Sequence, residues 1–306
     1  MNIHMPVKIS TQGASSEMER LRKLTPLGWV QEISKYILLI VLTITYVLPF
    51  FWMFTSALKD DAQVYVVPPI WIPNPAFWEN FKNAWNSQPF NRYLFNTVFL
   101  YAIPVAVGMV LSSSIVAYGF SRLKWKGRDT LFYLCLATMM VPFQVQMVPL
   151  FIIFKNLGWI DSFRPLVVPA FFGSPFYIFM LRQFFMTLPI ELSEAARIDG
   201  ANEFGILFRI VLPLSKPALT VVALFAFIDA WNDYLGPMIY VHDNLKLVLA
   251  LGVENMRRAM MFNSTISNAY PYLMAISTIV VLPILIMFFF GQKTFIEGIS
   301  MTGIKE

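Results

Sequence analysis

Six stretches of this chain are apolar for long enough to cross a bilayer, and no other feature limits its fold as much. They lie at roughly 36–58, 93–120, 129–152, 165–186, 213–240 and 270–290. Crossing ~30 Å of hydrocarbon takes about 20 helical residues at 1.5 Å each. In lipid the backbone must satisfy its own hydrogen bonds, which leaves helices or closed barrels, and these stretches lack the alternation of barrel strands. The prediction is an all-α membrane protein with six transmembrane helices. Composition agrees: 13% of the 306 residues are charged, against about 25% in a soluble domain.

The net charge of +5 raises the question of an anionic partner. The basic residues sit in the gaps between apolar stretches, without the aromatic interleaving of a nucleic-acid surface, so nucleic acid is excluded as a partner and the bilayer is the expected surroundings. The lone cysteine, Cys135, allows neither an intramolecular disulfide nor a cysteine metal cluster. The first apolar stretch ends without a small-residue cleavage pattern and reads as a retained anchor. Lys and Arg then set orientation. Fifteen of the 23 fall in the N-terminal tail, the gaps after spans two and four, and the C-terminal tail. Both termini and the segment 187–212 are therefore expected in the cytoplasm. The order along the chain is a cytoplasmic tail (1–35), a first span (36–58), an external segment stiffened by proline and tryptophan (59–92), a membrane core (93–291) and a cytoplasmic tail (292–306).

Between spans four and five, Leu188-Pro-Ile-Glu-Leu-Ser-Glu-Ala-Ala-Arg-Ile-Asp-Gly-Ala201 predicts a short helix outside the membrane. Pro189 suits a first turn, Glu191 and Glu194 favour the positive end of the dipole, Arg197 the negative end, and Gly200 a left-handed stop. Leu188, Leu192, Ala195 and Ile198 share one face. Physics alone leaves two readings open: a helix lying on lipid headgroups, or one docked against another protein.

The residues themselves carry a resemblance. Glu194, Ala195, Ala196, Arg197, Asp199, Gly200 and Ala201, followed by Phe208, Ile210, Leu212-Pro213-Leu214 and Pro217, resemble the EAA signature of permease subunits in binding-protein-dependent ABC importers. Thr55-Ser-Ala-Leu-Lys59, Pro69-Ile-Trp-Ile-Pro-Asn-Pro75, Asn91-Arg-Tyr-Leu-Phe-Asn-Thr97, Ala230-Trp-Asn-Asp-Tyr-Leu-Gly-Pro237 and the tail from Gln292 to Lys305 are similar to the MalG-like, carbohydrate-importing branch. The resemblance implies a type I (MetI-like) permease fold whose coupling helix docks on an ATP-hydrolysing subunit, with Gly200 at the turn and Glu194 facing that partner. It further implies a homologous second permease, two copies of the ATPase, an extracytoplasmic solute-binding protein, a carbohydrate substrate and a prokaryotic inner membrane. ATP and magnesium would sit on the ATPase, with no cofactor on this chain. Polyol, glycerol phosphate or peptide are alternative cargoes.

Ionisable groups at membrane depth are expensive and mark paths or partners. Asp229 and Asp233, with Trp231 and Asn232, lie toward the outer part of span five and either line the solute path or contact the partner permease. Gln144 and Gln146, between Pro142 and Pro149, either line the path or satisfy a proline kink, the reading favoured here. The chain holds no phosphate-cradling loop. Its glycine pairs five apart, Gly200/Gly205 and Gly298/Gly303, are followed by Ile206 and Ile304, where that motif needs lysine. An ATP-independent secondary transporter would show matching broken helices in two halves, and no such symmetry is visible.

Overall fold

A computed structural model describes residues 25–262 and 268–303. The chain divides into two compact units, Met1–Thr55 and Ser56–Glu306, and each is taken by itself.

The described part of the first unit is helical and belongs to α1 (Pro26–Ala57). It starts at Pro26, not at the predicted 36. Thr25 accepts the Gly28 N–H through Oγ1 at 3.3 Å, and Pro26 takes the first position, where no N–H is needed. Glu32 and Lys35, assigned to the tail from their charge, pair at 3.0 Å along the helix. Leu38, Ile40, Ile44 and Val47 are exposed and point in several directions, as lipid contact requires. The rest of the predicted tail, residues 1–24, lies outside the described residues.

In the second unit the segment 59–92, expected to be external, is folded against its neighbours. Asn80 Nδ2 donates to the carbonyls of Ala57 (2.9 Å) and Lys59 (2.7 Å). Asp61 and Asn268 exchange two bonds, 3.1 and 2.6 Å long. Helix α2 (Phe90–Arg122) follows without a break. Its stretch Asn96–Ala102 widens into a π-helix, with the Ile103 N–H reaching the Val98 carbonyl. Pro104 sits just beyond, and widening the turn moves the carbonyls away from its ring.

The predicted third span is not one helix. α3 (Arg128–Met140) and α4 (Phe143–Asn156) meet at 97°. Pro142 removes an N–H and pushes Val141 into the extended region (φ −81, ψ 113), which ends a helix. α5 (Arg164–Thr187) is interrupted at Gly173, whose φ of +87 only glycine adopts at low cost. α6 (Ile190–Ile198) is the short helix the sequence predicts. The fifth span also departs from its prediction. α7 (Glu203–Leu214) and α8 (Lys216–Asn232) meet at 83°, and the span ends at Asn232 instead of 240 because a separate turn of helix begins at Leu235. Pro213 and Pro217 flank the bend, removing two backbone donors. Then come α9 (Leu249–Phe262) and α10 (Ala269–Gly303), which runs past 290 through most of the predicted tail, where no proline stops it. Among the described residues, four helices are thus long and apolar enough to span, or up to six if each bent pair counts as one span.

Two packed clusters position the ends. Tyr118, Leu181, Phe185, Ala196, Ile206 and Val222 lie under α6 and α7. Phe90, Tyr93, Trp231, Val248, Met256 and Ile276 form the other, beside the start of α2.

Candidate functional site

α6 is closed at its C-terminal end by backbone geometry. Asp199 is half out of the helix, and Gly200 follows at φ +81. The Gly200 N–H then reaches the Arg197 carbonyl (3.0 Å) and the Ala201 N–H the Ala196 carbonyl (2.9 Å), the paired bonds of a Schellman stop. A Cβ on Gly200 would meet nothing within 4 Å, so the requirement for glycine is the backbone angle and not space. Asn202 next caps α7, its Oδ1 accepting the Gly205 N–H at 2.7 Å.

The face that α6 turns inward is small and tight. Ser193 is 1% exposed and Ala196 9%, and Ala196 packs among Phe185, Ile206 and Val222. Of the stripe read from the sequence, Leu188 packs against the inner cluster while the rest looks outward: Leu192 is 43% exposed and Ile198 87%, with Ala195, Glu194, Asp199, Gly200 and Ala201 exposed too. Phe204 and Phe208 on α7 are exposed as well. An apolar ridge with one acidic edge is therefore left uncovered in this chain. Arg197 is not part of it. Its Nε lies 2.7 Å from Glu203 Oε1, and that bond raises the guanidinium pKa above its already high usual value.

Sequence reasoning missed two residues on α2 that hold this segment. Arg122, 6% exposed, donates to the carbonyls of Phe185 (2.5 Å), Leu188 (2.8 Å) and Pro189 (3.5 Å), where α5 ends and the chain enters α6. One turn earlier Tyr118 donates its hydroxyl to Glu203 Oε2. A basic residue directly after an apolar span was a usable signal, but charge counting spends it on orientation.

The polar residues at membrane depth separate into different roles. Asp229 is exposed and accepts the Tyr177 hydroxyl at 2.8 Å, and Asn232, three residues on, is exposed on the same helical face. Trp231 is 3% exposed and stacks on Phe227 at 5.8 Å, inside the core. Asp233 accepts the Tyr101 hydroxyl and the Gly236 N–H at 3.0 Å, tying α2 to the chain beyond α8. Gln144 is exposed at the start of α4. Gln146 donates to the Val141 carbonyl at 3.0 Å, so it serves the break at Pro142 rather than a kink at Pro149.

At the end of the unit that includes the start of α2, Asn96, 1% exposed, donates to the carbonyls of Leu245 and Leu247, both at 2.9 Å, and Thr97 accepts the Leu249 N–H at 2.8 Å. Asp161, at φ +59, accepts the N–H groups of His242 (3.1 Å) and Asp243 (2.9 Å) and the Lys246 ammonium (2.7 Å). The lysine and the two amides hold its carboxyl down at about 2. Among the described residues no group of three or more His, Cys, Asp or Glu could hold a metal ion.

Known proteins place this arrangement. The family model for the binding-protein-dependent transport system inner membrane component matches residues 107–301. The sn-glycerol-3-phosphate transport system permease protein UgpE of Yersinia enterocolitica is 34% identical over 274 residues, 88% of this chain and 95% of that protein. The arabinooligosaccharides transport system permease protein AraQ of Bacillus subtilis is 32% identical over 279 residues, 90% and 96% of the two chains. A crystal structure of a bacterial ABC transporter that imports the acidic polysaccharide alginate contains a chain with the same fold, at a TM-score of 0.77 and 22% identity over 88% of this chain and 98% of that one. The chain therefore belongs to the family of inner membrane components of binding-protein-dependent transport systems, the multi-pass permeases of ABC importers.

Proposed function

We infer that this chain is one permease of an ATP-driven importer for a carbohydrate, working by alternating access beside a homologous second permease. Two copies of an ABC ATPase would bind and hydrolyse ATP with magnesium, and an extracytoplasmic binding protein would deliver the solute. The observation that carries this reading is the uncovered ridge of α6, Leu192, Ala195 and Ile198, with Glu194 and Asp199 on its edge and Gly200 at its stop. Burying such a ridge in a partner's cleft is worth about 25 cal/mol per Å² of apolar area, and a short rigid helix can pass on the partner's closure as a rigid-body shift. Ala196 and Arg197 then act from beneath, by packing and by the Glu203 pair. The charge asymmetry of the loops supports cytoplasmic termini and a cytoplasmic α6. Asp229 and Asn232, exposed side by side, offer acceptors and a donor suited to sugar hydroxyls and are assigned to the translocation path, as is Gln144; the buried Tyr177 orients Asp229, and Asp233 and Trp231 hold the wall behind them.

Similarity to AraQ and to the alginate importer favours a carbohydrate, and similarity to UgpE keeps sn-glycerol 3-phosphate as the second cargo. The test is co-purification after mild solubilisation, then ATPase assays with the candidate binding protein and arabinooligosaccharide, alginate oligosaccharide or sn-glycerol 3-phosphate. Capture of an ATPase stimulated by a sugar is expected. Glu194→Lys, which reverses the charge on the acidic edge of the ridge, should abolish capture. Solute uptake by the chain alone would overturn the reading.

A further inference from the structure

We propose that the stroke received by α6 enters the membrane through the end of α2, with Arg122 and Tyr118 as positioning residues that clamp both ends of the coupling segment. This rests on the coupling role inferred above and adds the route of the motion. The route suggested by chain connectivity runs from α6 through α7 into α8. That path turns 83° at Ser215, where Pro213 and Pro217 each remove one backbone donor, and a sharply bent joint with fewer backbone bonds yields to displacement more readily than a continuous helix.

The route through α2 has no such bend. Arg122 and Tyr118 lie four residues apart, one turn of a single helix. Arg122 grips the chain where it enters α6, through the Phe185, Leu188 and Pro189 carbonyls. Tyr118 grips it where it leaves, through Glu203, which also holds Arg197 of α6. A planar guanidinium with several donors fits three carbonyls as an ammonium cannot. Because Arg122 is 6% exposed, release would strand a buried charge, so the grip holds under load. From there α2 runs unbroken to Phe90, about 50 Å at 1.5 Å per residue. Near that far end Asn96 and Thr97 hold residues 245–249. One rod thus joins the coupling segment to the opposite loop.

The experiment uses the full permease complex in nanodiscs on a Cys135→Ser background, with spin labels at Ile190, which is exposed on α6 but off the docking ridge, Ile115 on α2 and Thr220 on α8. Between nucleotide-free and ATP–vanadate-trapped states the 190–115 distance should change by no more than ~2 Å, and the 190–220 distance by more. A 190–115 change equal to or larger than the 190–220 change overturns the proposal. In parallel, Arg122→Lys should keep ATPase capture and basal hydrolysis but lower uptake per ATP about tenfold, within the usual range of coupling effects, and Tyr118→Phe should lower it less. Wild-type uptake per ATP in Arg122→Lys also overturns it. Should Arg122→Lys fail to assemble, the distances in the otherwise unsubstituted chain still decide. Failure of the wild type to capture any ATPase is a different result, and refutes the coupling role itself.

Discussion

The two ends of the membrane unit are tied by different chemistry. Around α6 the ties are long side chains: Arg122 to three carbonyls, Glu203 to Arg197 and Tyr118. At the other end, the Lys246–Asp161 pair apart, they are short amides and hydroxyls set directly against backbone: Asn96, Thr97 and Asn80. A short side chain has few rotamers and fixes its partner in one register, whereas a long arm holds a segment while letting it turn. The difference suits an end that receives movement and an end that must keep its shape. The coupling end also leaves Ile198 and Phe204 bare, while Leu247, Val248 and Leu249 opposite them are buried.

The largest effect should come from the rigid end. Asn96→Ala strands the buried Leu247 carbonyl and removes the part-buried bond to Leu245, at a cost of about 3 kcal/mol, read as a lower melting temperature of the purified chain. A shift no larger than that of an exposed-site control would remove the distinction between the ends. Gly200→Val comes next. A β-branched residue at φ +81 costs about 1–2 kcal/mol in α6 alone, so the spans should assemble while ATPase capture and transport are lost. Normal transport in that variant would mean the stop at α6 has no mechanical role.

The smallest effect is a pH dependence at Asp161. Its carboxyl is held below the free value of about 3.9, at about 2, so the latch to Lys246 is complete above about pH 4 and weakens as pH falls toward 2. Asp161→Asn keeps a side-chain acceptor for the His242 and Asp243 amides and tolerates a positive φ, but loses the charge. The melting difference between wild type and Asp161→Asn should therefore shrink from pH 6 to pH 3. A difference that grows on acidification would reverse the assigned sign.

Much of the site was readable from local sequence. Pro189, Arg197 and Gly200 mark the short helix because capping, dipole and left-handed backbone preferences act within a few residues. Thr25-Pro26 carried the same kind of start signal for α1, but the charges of Glu32 and Lys35 outweighed it in a hydropathy reading. The breaks at Pro142 and Ser215 went unseen for another reason. Proline is tolerated inside membrane helices, so its presence does not say whether a span kinks or folds back.

By itself the sequence determined the helical class, the apolar segments and the stop at Gly200, all of which follow from hydropathy and backbone angles over short windows. Only the tertiary structure decided that Ala196 faces inward while Ile198 faces out, that Asp233 braces Tyr101 while Asp229 stays exposed, and that Arg122 belongs to α6 as much as to α2. Those facts join residues as far as 132 positions apart. Such pairings depend on how helices pack against one another, and no short-range preference encodes that.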